Sequence, residues 1–213
     1  NLWIIEDACH APGGYFIDSK LKKHMCGNGK HAQCSVFSFH PVKHIACGEG
    51  GMITTNDPAV FERLKLLRTH GITKDPHALQ NPNAYAWGQH DGAQSGFPVW
   101  YMEMQELGYN YRLTDFQAAL GLSQLGRAEV GLNKRREIAA EYASAFEGIS
   151  GLIDRNIEAR GEVESNGHAH HLYVIEVDNR AELYNHLREN GVYAQIHYFP
   201  THLMPYYRQF GWK

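Results

Sequence analysis

The sequence lacks any long apolar run, any surplus of one charge and any dense set of cysteines. No segment approaches the roughly 18 consecutive apolar residues of a membrane helix, and none has the pattern of a signal peptide. The chain is therefore expected to be soluble and cytoplasmic, with no membrane partner. Its 20 Lys and Arg against 23 Asp and Glu leave a net charge of -3. Without a clustered basic stripe, nucleic acid is not an expected partner. Cys9, Cys26, Cys34 and Cys47 have no CxxC spacing and read as reduced thiols. Cys26 and Cys34 with His24 or His31 lack the usual ligand spacing of a zinc site, so no metal is expected. A length of 213 residues allows a sizeable core in one large or two small domains.

What is present centres on Lys43. Val36, Phe37, Ser38 and Phe39 have the composition of a strand, which Pro41 prevents from continuing in a central ladder. Gly48, Gly50 and Gly51 then permit a tight loop, and residues 52–55 read as a second strand. This framing suits a reactive amine held at the rim of a sheet. An ordinary solvated surface lysine is the alternative.

Upstream, residues 2–7 form an apolar run ending in Glu6 and Asp7, the pattern of a parallel strand buried on both faces. In open α/β sheets ligands collect at the carboxyl ends of strands, where Asp7 is expected to stand. A lysine and a carboxylate delivered by two strand ends suit pyridoxal phosphate (PLP). Its aldehyde forms a Schiff base with a lysine, and an acid keeps its ring nitrogen protonated.

Three spaced stretches carry a resemblance along essentially the whole chain. They are Glu6-Asp7-Ala8-Cys9-His10-Ala11, Phe37-Ser38-Phe39-His40-Pro41-Val42-Lys43 followed by Gly48-Glu49-Gly50-Gly51, and Gly108-Tyr109-Asn110-Tyr111-Arg112-Leu113-Thr114-Asp115. In this order the sequence resembles the sugar aminotransferases of the DegT/DnrJ/EryC1/StrS family. Residues 100–108 and 196–207 are most similar to the branch of that family that serves pseudaminic acid synthesis.

The resemblance implies an α/β fold, part of a fold-type I PLP-dependent transferase. Residues 1–125 are then the remaining part of the large PLP-binding domain, 126–147 a linking helix, and 148–213 a small, incomplete C-terminal domain. The resemblance also implies a fragment trimmed at both ends, lacking the other phosphate-binding loop and the aromatic residue that stacks on the cofactor. Lys43 is implied as the catalytic lysine. Asp7, His10, Ser38 and Asn110 are implied to bind the cofactor, Ser38 at its phosphate and Asn110 reaching the phosphate of a partner subunit in a homodimer. His197, Tyr198 and His202 match the segment that faces the nucleotide sugar. Ordinary core and turn roles remain the alternative for His10, Asn110, His197, Tyr198 and His202.

The intervening chain is read from local signals. Residues 11–33 suggest a loop excursion or hairpin. Asp57-Pro58 starts a helix carrying Phe61, Leu64 and Leu67 and ended by Gly71. Residues 73–100 have loop composition, either a lid or surface slack. Thr114 or Asp115 caps a helix with Phe116, Ala119, Leu120 and Leu122, and a second helix spans about residues 129–146. Residues 171–177, 181–190 and 192–198 read strand, helix, strand, with a boundary at 148–167.

The implied activity moves an amino group from an amino-acid donor, with glutamate as the expected one, to C4 of a nucleotide-linked 4-keto-6-deoxy sugar. Lys43 holds the cofactor and then moves a proton as base and acid. The contrasting reading is an inactive structural or dimer-forming remnant.

Overall fold

The computed structural model describes residues 2–88, 96–158 and 166–212. Contacts divide the chain into two compact units, Asn1–Glu141 with Glu162–Tyr173, and Tyr142–Gly161 with Val174–Lys213.

The first unit begins with strands β1 (Ile5–Asp7), β2 (Tyr15–Ile17), β3 (Lys23–Met25), β4 (Cys34–Ser38) and β5 (Gly51–Thr54). β4 is the middle strand of a three-stranded sheet, parallel to β1 and antiparallel to β5. Residues 11–33 contain the β2–β3 hairpin. Its turn is closed by Asp18, whose Oδ1 accepts the Lys20 and Lys22 N–H groups, both at 2.9 Å. Asp18 Oδ2 lies 2.8 Å from Nε2 of the buried His24.

Helix α1 (Pro58–Arg68) starts as Asp57 and Pro58 dictate: the Asp57 carboxylate accepts the Ala59 and Val60 N–H groups at 2.8 and 3.3 Å. Lys65 and Arg68 complement the dipole of its last turn. Beyond it lie β6 (Ile72–Thr73), the single turn α2 (Ala84–Trp87) and β7 (Glu103–Met104). β6 and β7 pair antiparallel, closing the neck of the excursion that the sequence marks as loop. The buried Glu103 carboxylate accepts the Gln80 and Asn81 N–H groups at 2.7 and 3.0 Å and the Tyr101 hydroxyl at 3.0 Å. Both sides of that neck are thereby tied to one acid.

Helix α3 (Asp115–Leu125) carries a complete capping box, with the side chains of Thr114 and Gln117 each accepting the other residue's backbone N–H. Helix α4 (Ala128–Ala145) follows, and the division between the units falls within it. In the second unit, β8 (Leu152–Asp154) leads into α5 (Arg155–Glu158). The next strand, β9 (Asn166–Gly167), returns to the first unit and pairs with β2. The second unit resumes with β10 (Ile175–Val177), antiparallel to β8, then α6 (Arg180–Glu189), a 3₁₀ turn (Thr201–Leu203) and α7 (Pro205–Arg208).

Three expectations are corrected. Residues 192–198 form no strand; they run without regular structure after α6, and β10 is instead paired by β8, which arises from the stretch read as a boundary. The strand within 171–177 is confined to Ile175–Val177. The apolar run before Asp7 is not buried on both faces: Trp3 is 67% exposed and Ile5 63%. Its strand stands at the sheet edge, with β4 as its one paired neighbour among the described residues.

The described core is correspondingly thin. Its buried apolar residues are mostly small, Ala8, Ala86, Ala139, Ala143 and Ala169 among them, while Phe116 and Leu122 on α3 are exposed. So much uncovered apolar surface, with an unpaired strand edge, favours association. In isolation the chain is expected to self-associate, and light scattering that finds a monomer at high concentration contradicts this.

Gly71 ends α1 for a reason its neighbours make plain. It has φ +68°, and a Cβ placed there would lie 1.8 Å from the Glu106 carbonyl oxygen. The 68–71 and 108–111 backbones cross here, with the His70 N–H donating to Tyr109 O at 2.8 Å and the Tyr111 N–H to Arg68 O at 3.0 Å. Gly71→Ala should cost on the order of 3 kcal/mol or more, from torsional strain plus backbone overlap. Gly191→Ala, with φ +76° and open space around it, is the control at about 1 kcal/mol. Equal urea midpoints for the two variants contradict the crossing.

Candidate active site

The parallel register Ile5↔Cys34, Glu6↔Ser35, Asp7↔Val36 sends the carboxyl ends of β1 and β4 to the same edge of the sheet. Asp7 closes the first strand and Ser38 the second. Each end then turns. After β1, the Ala11 N–H donates to Ala8 O at 3.0 Å, a tight turn that carries Cys9 and His10. After β4, the Lys43 N–H donates to His40 O at 2.9 Å and the Cys47 N–H to Phe39 O at 3.0 Å, folding the loop back on itself. The two turns bring the Lys43 Nζ to 2.5 Å from the His10 Nε2.

The Asp7 carboxyl is held below the usual carboxylate range, first by hydrogen bonding from Cys9, whose N–H lies 3.0 Å from Oδ1. Burial opposes this, and the nearby basic groups His10 and Lys43 add smaller lowering contributions. Ser38 Oγ accepts the His40 N–H at 3.3 Å, and its own proton remains a donor.

Behind this edge lies a group of histidines from residues 168–171. The His171 ring packs 4.0 Å from the His10 ring, and the His44 ring 5.3 Å from that of His171. The His44 Nε2 lies 2.9 Å from the Ala169 carbonyl oxygen, an acceptor only, so Nε2 carries the proton. Two arginines of α4 pin the segment by its carbonyls. Arg135 reaches His170 O and His171 O at 3.4 and 3.5 Å. Arg136 reaches His168 O at 3.2 Å and Gly167 O at 3.3 Å. Burial lowers the pKa of His44 and, above all, that of His171, to about 4; neighbouring positive charges contribute in both cases.

Asp7, His10, Ser38 and Lys43 thus share one edge of one sheet. Asn110, in the same unit, forms an isolated antiparallel bridge with Thr69. Among the described residues no hydrogen bond joins it to Asp7, Ser38 or Lys43. The helix that follows does touch the lysine loop, because Gln117 Nε2 donates to Glu49 O at 2.8 Å. His197, Tyr198 and His202 lie in the second unit, all exposed; the His197 and Tyr198 rings are 3.8 Å apart, and His202 sits in the 3₁₀ turn. The contribution of His171 and His44 was not legible locally. Its one trace in the sequence is the density of histidine at 168, 170 and 171.

The family description "DegT/DnrJ/EryC1/StrS aminotransferase family" matches residues 1–212. The chain belongs to this family. It is 33% identical to a Campylobacter jejuni UDP-4-amino-4,6-dideoxy-N-acetyl-beta-L-altrosamine transaminase, over 98% of this chain and 48% of that protein. Among solved structures it is similar to Helicobacter pylori PseC, an aminotransferase involved in the biosynthesis of pseudoaminic acid, with TM-score 0.73, 30% identity and coverage of 98% and 48%. It is also similar to the PMP form of Spr1654, a putative sugar aminotransferase of Streptococcus pneumoniae, with TM-score 0.76, 28% identity and coverage of 99% and 49%. The chain spans about half the length of the curated relatives it matches. Its mixed α/β elements therefore correspond to part of a DegT-family fold.

The neutral state of His171 has a consequence for stability. Its pKa lies near 4 in the fold against 6.5 for the free side chain. Its contribution is therefore complete above about pH 6.5 and is lost as pH falls toward 4. His171→Phe, which has no ring proton to gain, should flatten the fall in urea midpoint between those limits. An unchanged slope contradicts the assignment.

Proposed function

We propose that this chain is the lysine-bearing part of a PLP-dependent nucleotide-sugar aminotransferase. It takes an amino group from an amino acid, glutamate being the expected donor, and delivers it to C4 of a nucleotide-linked 4-keto-6-deoxy sugar. The observation that carries this reading is the convergence of Asp7, Ser38 and Lys43 on one sheet edge, with Lys43 Nζ against His10. Family membership and the names of the relatives support it. We place the protein in the cytoplasm; among the described residues no helix is long and apolar enough to cross a membrane. We take residues 1–125, 126–147 and 148–213 as large-domain part, linking helix and small-domain part.

The donor set fits the cofactor. Asp7, kept anionic, suits the protonated ring nitrogen; Ser38 offers a hydroxyl proton to a phosphate oxygen; Lys43 offers the amine that the aldehyde needs. When bound, the cofactor supplies an electron sink for the carbon from which a proton is withdrawn. Lys43 would move that proton, as base and then acid, between the substrate carbon and the cofactor carbon on the other side of the amino nitrogen. For this the amine must be free of its own proton, and a base within hydrogen-bond reach can accept it. His10 is so placed. Asn110 is assigned to a partner subunit's cofactor phosphate in a homodimer; the exposed apolar residues of α3, the helix that follows it, are consistent with that use. His197, Tyr198 and His202 are assigned to the nucleotide sugar.

The alternative, an inactive remnant, draws on the thin core and the half-length match. The two are separated by adding PLP to the chain and to a full-length protein, then fixing the adduct with borohydride and mapping it. The expected result is a visible band and a Lys43-containing adduct in the full-length protein, with little in the chain alone. Lys43→Ala should lose the band and on the order of 10³-fold or more of amination activity. A band that survives this change overturns the assignment.

A further inference from the structure

Four basic side chains meet at the Lys43 edge, and they cannot all be charged. Lys43 Nζ and His10 Nε2 stand 2.5 Å apart, so one must donate and the other accept. An ammonium facing an imidazolium has no acceptor between them and adds like-charge repulsion. The remaining two rings are constrained by their own surroundings. His44 donates from Nε2 to Ala169 O, and its Nδ1 is buried without a hydrogen-bond partner among the described residues. A second proton there would be an orphaned buried donor, so His44 stays neutral. His171 Nδ1 is likewise buried without a hydrogen-bond partner among the described residues, and the ring lies near the permanent charge of Arg135 and the charge that Lys43 and His10 carry. Asp7 is the acid acting on His10 and Lys43 from the end of β1, with the Cys9 N–H donating to it.

We infer that Lys43 and His10 carry a single proton between them, and that His171 is the positioning residue that holds His10 Nε2 against Lys43 Nζ. The step is balanced: the ammonium N–H bond of Lys43 breaks, an N–H bond forms at His10 Nε2, and the charge moves from amine to imidazole. The tilted ring contact, with centroids 4.0 Å apart and 34° between the planes, backs His10 while its Nε2 edge meets the amine. The carbonyl contacts from Arg135 keep His171 from following any movement of His10. A neutral ring in this place contributes shape without adding a charge that would compete for the shared proton. The inference rests on Lys43 being the reactive lysine, yet it concerns the chain's own groups and is read without cofactor.

Its test is an NMR titration of the His10 imidazole in the full-length protein freed of cofactor. Two groups sharing one proton titrate in two steps that belong to the pair. His10 should therefore show two steps at least about one pH unit apart, collapsing to one in Lys43→Ala. His171→Ala should also merge the steps, and His171→Phe, which keeps a flat ring, should restore them. Carbamoylation of Lys43 by cyanate, followed against pH, is the second readout: its profile should lose an inflection in the histidine range in His10→Gln. A single-step His10 curve in the unsubstituted protein overturns proton sharing. Matching curves for His171→Ala and the unsubstituted protein overturn the positioning role. Neither outcome depends on whether PLP is captured, so the two proposals fail separately.

Discussion

The parallel pairing of β1 with β4 is the constraint on which the site depends. Parallel neighbours place their carboxyl ends on the same side, so acids, hydroxyls and loops that follow them are delivered together. Because Asp7 is in register with Val36, Ser38 lies only two residues further along the partner strand, and the loop after it returns toward the same edge. A slip of one residue would turn Asp7 to the opposite face. Glu6 helps to hold this register, since its carboxylate accepts the Ser35 hydroxyl at 2.6 Å and the Gly27 N–H at 3.0 Å. The acid beside Asp7 is thus a strut between segments.

Upon that frame, positive charge is distributed with economy. Lysine and histidine nitrogens crowd one edge, and the fold keeps the crowd tolerable by half-burying two imidazoles, which lowers the pKa of each. α4 contributes two permanent cations, but spends them on backbone carbonyls of residues 167–171, which have no proton to lose. The histidine segment is therefore held by groups whose charge does not vary with pH, while the groups it touches can exchange protons.

Local rules served the helices and turns well. Asp57 with Pro58, Thr114 with Gln117, and the glycine after α1 each act within a few residues of themselves, so their effect is written in the adjacent sequence. They failed where burial decides. The apolar run before Asp7 has the composition of an inner strand yet stands exposed, because composition records what a strand suits and not what covers it. Residues 192–198 have strand-like composition without a strand to pair with, whereas residues 152–154 found their partner in 175–177. Pairing is a property of two segments, and one of them alone cannot report it.

By itself the sequence determined the reactive types and their order: an acid closing an apolar run, a lysine framed by proline and glycines, and capped helices between motifs that resemble one family. Those features follow from residue chemistry and from contacts only a few positions apart. The tertiary structure alone decided that His171 and Ala169 stand behind His10 and His44, the latter contact spanning 125 positions of chain, and that Asn110 answers to Thr69. Such contacts depend on how the backbone folds over long distances, for which neighbouring residues carry no local signal.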